Sequence, residues 1–97
     1  MSPPTGSRPY HLRITGPAAR ALAARLPEKV AAAVYEFLTT VLVSNPHRLG
    51  KQLLLPPYKG TWSARRGAYR VLYEIDEEQH MVTVTAVEHR SDAYRSR

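Results

Sequence analysis

Alternating apolar and polar residues predict a first β-strand near the start of the chain. Over residues 10–14, Tyr10, Leu12 and Ile14 share one face while His11 and Arg13 share the other, the period of a half-buried strand. The preceding residues 1–9 contain three prolines, two serines and a glycine. We therefore expect residues 1–9 to be a mobile tail and residues 10–97 to form a single domain.

Two helices are predicted next, joined as an antiparallel hairpin. Residues 18–26 are rich in alanine, the best helix former, with Thr15 as the expected N-cap and Pro17 in the first turn. Pro27 ends or kinks this helix. A second helix is predicted over residues 28–43, where apolar side chains recur at helical spacing. Its stripe consists of Val30, Val34, Phe37, Leu38, Val41 and Leu42.

The rest of the chain is predicted to be mostly strand. Residues 47–60 form a connector, and residues 61–65, 69–75 and 81–87 are rich in aromatic and β-branched residues. The polar turn at residues 76–80 should join the last two runs as an antiparallel hairpin. The order β-α-α-β-β-β predicts an α+β fold, with a four-stranded, antiparallel-dominated sheet and the helical hairpin on one face. A short C-terminal segment closes it, and the other face should be partly open for binding.

The amino-acid composition excludes several classes of function. The 97 residues contain no cysteine, and the four histidines lie far apart, so disulfides and thiolate chemistry are excluded and a metal is not expected. No apolar run approaches the roughly 20 residues of a membrane span, so we expect a cytoplasmic protein without a membrane partner. A net charge of +6 favours a polyanionic partner.

Arg70 is the most informative charged residue, because it falls inside a predicted strand rather than at the tip of a loop. It shares a face with Leu72 and Glu74, and a mid-strand arginine needs either a partner or a ligand. The partner in an ion pair would be Glu74 or Glu88. Arg65 and Arg66 precede Gly67 at a predicted turn. The alternative to a functional role is that they are solvent-exposed residues at a corner of the sheet.

These residues resemble the RelE/ParE superfamily of bacterial toxins from type II toxin–antitoxin systems. The similarity lies in Gly67-Ala68-Tyr69-Arg70-Val71-Leu72-Tyr73, preceded by Arg65 and followed by His89-Arg90 and Tyr94. The upstream run NPHRLGKQL at residues 45–53 is similar to the family's connector. The resemblance implies a small mixed sheet that includes the first strand, and a cognate antitoxin in a toxin–antitoxin hetero-oligomer. For the RelE-type branch it implies a cofactor-free, metal-independent endoribonuclease that cuts mRNA on the ribosome.

The resemblance also implies roles for individual residues. Arg70 would stabilise the phosphate in the transition state, with Arg65 and Arg90 as further basic groups; Tyr94 would stack on a base or take part in proton transfer; and His89 would act as a general acid or base. Candidates for contact with RNA and the ribosome are Arg48, Lys51, Lys59 and Arg66. The sequence departs from the family in one strand. The best-studied RelE-type enzymes carry lysines there, whereas this chain has Thr61, Trp62, Ser63 and Ala64, so the strand supplies no lysine as a general base. Ala68 replaces a common aspartate of the turn.

Two other functions compete with mRNA cleavage. A ParE-like toxin of the same fold would inhibit DNA gyrase by binding it, without catalysing a reaction. The RelE-type and ParE-like branches share the sequence features described above, so these features discriminate poorly between the two functions. His89 together with Tyr94 favours the RelE type. A plain DNA-binding module is disfavoured, because the helix over residues 28–43 carries only Lys29 as a basic residue and thus lacks a base-reading face.

Overall fold

A computed structural model describes residues 8–54 and 60–89. It contains three α-helices and five strands within those ranges. The helices α1 and α2 each continue into π-helical turns, over Ala21–Arg25 and Phe37–Leu42. In chain order the elements are β1 (His11–Ile14), α1 (Gly16–Arg20), α2 (Glu28–Glu36), α3 (Pro46–Leu49), β2 (Lys51–Gln52), β3 (Trp62–Arg66), β4 (Tyr69–Asp76) and β5 (Met81–His89).

The strands form one mixed sheet in the order β1-β5-β4-β3-β2. β1 pairs parallel to β5, and the other neighbours are antiparallel. The α+β class, the C-terminal hairpin and the place of the first strand in the same sheet are confirmed. The prediction of four strands is wrong by one, because Lys51–Gln52 in the expected connector pairs with Ser63 and Trp62. A strand of two residues is too short to show a period.

The helices cover one face of the sheet. Leu38, Leu42 and Val34 are fully buried against Val71 and Val82 from the sheet, and no polar or charged side chain is buried among the described residues. Leu12 and Ile14 of β1 pack at the edge of this core, as their alternation predicts. The apolar stripe of the second predicted helix therefore serves as the main packing surface for the sheet.

The second helix differs from a regular α-helix in its last turns. Thr40 donates its hydroxyl hydrogen to the Glu36 carbonyl at 2.6 Å, and Thr39 donates to the Tyr35 carbonyl at 3.0 Å. Hydroxyls that bond back to the preceding turn compete with the backbone ladder, and these two stand where the α-helix gives way to π-helical turns. Residues 28–43 were predicted as one regular helix because apolar spacing does not register this change.

The prediction that Thr15 is the N-cap of the first helix is confirmed, although its side chain makes no capping bond. Its backbone at this position is extended. Its hydroxyl donates instead to the Thr85 carbonyl at 3.3 Å, linking the start of α1 to β5. The predicted mobile tail lies mostly outside the described residues; of its last two, Arg8 places its carbonyl oxygen 2.9 Å from His80 Nε2.

Tyr73 holds α3 against the sheet, next to the edge strand β2. Its buried hydroxyl donates to the Pro46 carbonyl at 2.5 Å, its ring stacks on Trp62, and burial raises its pKa to about 12. A Cβ at Gly50 would lie 2.8 Å from the Ser63 carbonyl oxygen and even closer to the Tyr73 hydroxyl. Glycine is therefore required there by close approach of the chain rather than by a turn.

Among the helices within residues 8–54 and 60–89, none has the length and apolar character that a bilayer crossing needs.

Candidate functional site

Three charged residues form a row across the face of the sheet that the helices leave open. Arg65 of β3 lies directly opposite Arg70 of β4, which lies directly opposite Glu88 of β5. Directly opposed residues project from the same face. The buried Tyr69 and Val71 on either side of Arg70 face the helices, so strand alternation directs the row away from the core.

A β-bulge in β5 brings Glu88 into this row. The register shifts between Leu72 and Tyr73 of β4, which leaves Thr85 of β5 as the extra residue. Val84 and Val87 are consequently both buried, although an odd spacing of three would put them on opposite faces of a regular strand. The same change of phase turns Glu88 to the open face beside Arg70.

Arg70 and Glu88 make a charge-assisted contact. Glu88 Oε1 accepts hydrogen bonds from Arg70 Nη2 at 2.6 Å and from Nε at 3.2 Å. The two side chains are 49% and 40% exposed, so the pair remains open to solvent and to a ligand. Of the two carboxylates considered from the sequence, the partner is Glu88 and not Glu74.

Lys51 extends the basic surface towards the sheet edge. It pairs with Ser63, which pairs with Leu72, so Lys51 shares the open face with Arg65 two residues further along β3. Leu72 is only 8% exposed, yet it lies outside the main core cluster. Three basic side chains, those of Lys51, Arg65 and Arg70, thus lie on neighbouring strands of the open face, an arrangement that can bind the phosphates of a nucleic-acid backbone.

Arg66 lies on the other face from Arg65. Its guanidinium carbon lies 5.0 Å from the centre of the Phe37 ring, a cation–π contact with the helical layer. The charge of Arg66 also opposes, but does not overcome, the burial that raises the pKa of Tyr69. The structure therefore separates Arg66 from Arg65 and Arg70 and gives it a packing contact.

The register also separates His89 from the two arginines. His89 lies opposite Tyr69, whose buried ring contacts Phe37 on the helical side. To serve a phosphate held by Arg70, the imidazole would have to reach around the end of β5. Arg48 is exposed on α3, and the predicted site residues Lys59, Arg90 and Tyr94 lie outside the described residues.

A second cluster was missed by the sequence analysis. At the tip of the β4–β5 hairpin, Glu77 accepts a hydrogen bond from the Tyr10 hydroxyl at 3.0 Å and lies 2.7 Å from His47 Nε2. Tyr10 also stacks on His80 with 3.9 Å between ring centres. Burial, with the Glu77 carboxylate as a further cause, raises the pKa of Tyr10. No sequence signal joins these residues, because they come from three distant segments.

Across residues 8–54 and 60–89, the histidine and carboxylate side chains form no group of three or more that could hold a metal ion.

Comparison with known proteins gives the family. A family model described as the ParE toxin of type II toxin–antitoxin systems matches residues 12–94. The chain is 53% identical over 87 residues to the toxin RelE of Mycobacterium tuberculosis, covering 90% of this chain and 88% of that protein. It is 47% identical to the toxin RelG of the same organism, covering 90% and 98%. These matches confirm the resemblance found in the sequence.

Solved structures agree with this result. A RelBE toxin–antitoxin complex from Mycobacterium tuberculosis matches with a TM-score of 0.80 and 46% identity, over 84% of this chain and 99% of that chain. The isolated toxin RelE of Escherichia coli matches in fold, with a TM-score of 0.65 and 24% identity over 88% and 90% of the two chains. The protein belongs to the RelE/ParE superfamily of toxins from type II toxin–antitoxin systems, on its RelE-type branch.

Proposed function

We propose that this protein is a ribosome-dependent endoribonuclease that cuts mRNA, with residues 10–97 as its single toxin domain. The observation that carries the proposal is the open-face row, in which Arg65 and Arg70 are direct cross-strand neighbours. Like charges directly opposite one another destabilise a sheet. Their placement is better explained by an anionic ligand than by folding, and the 53% identity to a RelE toxin favours RNA.

The proposed reaction uses a nucleophile that RNA itself carries. The 2′-oxygen attacks the adjacent phosphorus, a new 2′-O–P bond forms, and the P–5′-O bond breaks. The products are a 2′,3′-cyclic phosphate and a 5′-hydroxyl. The 2′-hydroxyl loses a proton to a base, and the leaving 5′-oxygen gains one from an acid. Negative charge builds on the non-bridging oxygens, where the Arg70 guanidinium donates hydrogen bonds.

Guanidinium groups supply this charge stabilisation directly, and we therefore include metal independence and the lack of a cofactor in the proposal. Arg65 would add a second positive charge, and Arg90 a third. The proton transfers are assigned to Tyr94 and His89 by resemblance alone. Because His89 lies opposite Tyr69, on the helical face of the sheet, its imidazole can act as an acid or base only if it reaches around the end of β5.

The partners follow from charge and from the relatives. Lys51, Arg48, Lys59 and Arg66 are the residues we propose for contact with RNA and the ribosome; Arg66 would do so from the helical side of the sheet, where it also lies over Phe37. Because ribosomes act in the cytoplasm, the proposal includes a cytoplasmic location. A solved relative is a RelBE toxin–antitoxin complex. We accordingly propose a cognate antitoxin that binds this chain in a hetero-oligomer and masks the arginine row.

The test is to replace Arg70 and map mRNA cleavage on the ribosome. The purified chain is incubated with programmed ribosomes, and new 5′ ends of the mRNA are mapped. Arg70→Ala should lower the cleavage rate by about 100-fold or more, the usual cost of removing a donor to a developing anion, and should abolish growth inhibition while antitoxin binding is kept. Arg13→Ala removes the same charge from the open face of β1 and should cleave normally.

Gyrase inhibition is the second candidate, because the matching family model carries the ParE name. Intact ribosome-bound mRNA together with DNA breaks and stalled gyrase on induction would reject the nuclease proposal in its favour. Equal cleavage by Arg70→Ala and the unsubstituted protein would instead reject the assignment of Arg70.

A further inference from the structure

The ion pair of Arg70 raises a question that the proposed function leaves open. Arg70 is proposed to bind a transition state that carries two negative charges on its phosphate. The carboxylate of Glu88 repels that phosphate, so in Coulomb terms it weakens the binding. Yet the β-bulge at Thr85 turns Glu88 to the open face, and Glu88 holds Arg70 through two hydrogen bonds. The geometry of those two bonds gives the reason.

Glu88 engages one edge of the guanidinium. Its Oε1 lies 3.2 Å from Nε and 2.6 Å from Nη2, which uses two of the five N–H donors of arginine. The adjacent, terminal edge carries Nη1 and the second hydrogen of Nη2. That edge has the spacing for bidentate binding of two phosphate oxygens. The carboxylate thus fixes the plane of the group and leaves a phosphate-binding edge available.

The neighbours of Arg70 explain why such a partner is needed. Arg65 stands directly opposite on β3, so repulsion drives the half-exposed Arg70 side chain away from it. Arginine is long and has many rotamers, and each must be frozen when the phosphate binds. Glu88, on the other neighbouring strand, draws Arg70 to one geometry before the substrate arrives.

We propose that Glu88 is a positioning residue of the site, which holds the Arg70 guanidinium by its Nε–Nη2 edge so that its terminal edge meets the scissile phosphate. This inference rests on the proposed nuclease function. Glu88 touches Arg70 and neither attacks nor protonates the RNA in this role. Its effect should therefore appear in the rate of the chemical step rather than in ribosome binding.

The experiment compares Glu88→Ala with Glu88→Gln in single-turnover cleavage on programmed ribosomes, with the full chain in excess. Glutamine keeps an oxygen that accepts both hydrogen bonds, whereas alanine removes it. Glu88→Ala should lower the maximal rate by about tenfold or more, a typical cost of lost orientation, with the half-saturating concentration little changed. Glu88→Gln should keep most of the rate. Glu74→Ala removes a carboxylate from the same face of β4 and serves as the matched control.

Three results would overturn the inference. One is a maximal rate for Glu88→Ala equal to or above that of the unsubstituted protein, which would make Glu88 a competitor of the phosphate. Another is an equal loss in the glutamine variant, which would point to charge alone. The third is an equal loss in Glu74→Ala, which would reflect the general field of the sheet face.

A second measurement separates this inference from the proposed function. In ¹⁵N relaxation of the Arg70 Nε–H group without ribosomes, the unsubstituted protein and Glu88→Gln should show a rigid guanidinium and Glu88→Ala a mobile one. Equal mobility in all three proteins would contradict positioning by Glu88. If the unsubstituted protein cuts no mRNA, the nuclease proposal fails, and the relaxation data still decide whether Glu88 holds Arg70.

Discussion

The two faces of the central strand β4 carry opposite kinds of residue. On the helical side, Val71 and Tyr73 are fully buried in an apolar core. On the open side, Arg70 is exposed, with a like charge on one neighbouring strand and a carboxylate on the other. Burial on one face supplies the stability of the sheet, so the other face is free to carry a charge arrangement that folding does not favour.

The same contrast appears in two adjacent residues of β3. Arg66 lies over the Phe37 ring and joins the sheet to the helical layer, while Arg65 makes no ion pair within the described residues and faces Arg70. Two arginines with the same chemistry thus take different roles because a strand alternates its faces. Substitutions on each face test this division.

Leu38→Ala should cause the largest loss of stability. Leu38 is fully buried in the helical layer, and truncation of a buried leucine to alanine costs about 2–5 kcal/mol. Chemical denaturation followed by circular dichroism measures the free energy of unfolding. Leu54→Ala is the control, since Leu54 is 73% exposed and its truncation should change stability by less than about 0.5 kcal/mol. Similar losses in both variants would mean that the helical face is not the source of stability.

Tyr73→Phe should have a smaller effect on the same face. The substitution removes the hydroxyl that donates to the Pro46 carbonyl and leaves the ring on Trp62 in place. Leaving a buried carbonyl without its donor costs about 1–2 kcal/mol. Tyr35→Phe removes a hydroxyl from a side chain that is 56% exposed and should be neutral in the same denaturation experiment. A neutral Tyr73→Phe would show that α3 is not held by this bond.

Tyr73 also predicts a loss of stability in alkaline solution. Burial raises its pKa to about 12 in the folded protein, above the ordinary value of about 10 in the unfolded chain. The unfolded chain therefore loses this proton first, and the contribution of Tyr73 is complete below pH about 10 and declines towards pH about 12. Tyr10 and Tyr69 also have raised pKa values, so the difference between the unsubstituted protein and Tyr73→Phe isolates Tyr73. A constant difference over this range would contradict the prediction.

Much of the fold could be predicted because the apolar residues of the core recur along the chain with the periods of a strand and of a helix. The alternation at Leu12 and Ile14 and the stripe from Val34 to Leu42 both report a face buried against a sheet. Features set by contacts between distant residues could not be predicted. The strand Lys51–Gln52 exists through its pairing with Ser63 and Trp62. A local feature was missed as well: the π-helical turns over Phe37–Leu42 coincide with two threonine hydroxyls that bond back to the preceding turn, which an apolar pattern does not report.

The candidate site was predictable in its residues but not in its arrangement. The motif around Arg70 identified Arg65 and Arg70, and the position of Arg70 within a strand called for either a partner or a ligand. The choice of Glu88 depends on the bulge at Thr85, which changes the phase of β5 without a glycine or proline to mark it. The same phase places His89 on the face of Tyr69, away from the arginines with which the motif groups it.

The smallest expected effect is the sharpest test of the division between faces. Arg66→Ala should lower the free energy of unfolding by about 0.5–1 kcal/mol, the value of an exposed cation–π contact. Arg65→Ala should leave stability within about 0.5 kcal/mol, because it removes no described ion pair and relieves repulsion with Arg70. In mRNA cleavage on the ribosome, Arg65→Ala should lower the rate by about tenfold through the lost positive charge at the phosphate. If Arg65→Ala destabilises the protein as much as Arg66→Ala and leaves cleavage unchanged, the open face contributes to folding and the contrast between the two faces fails.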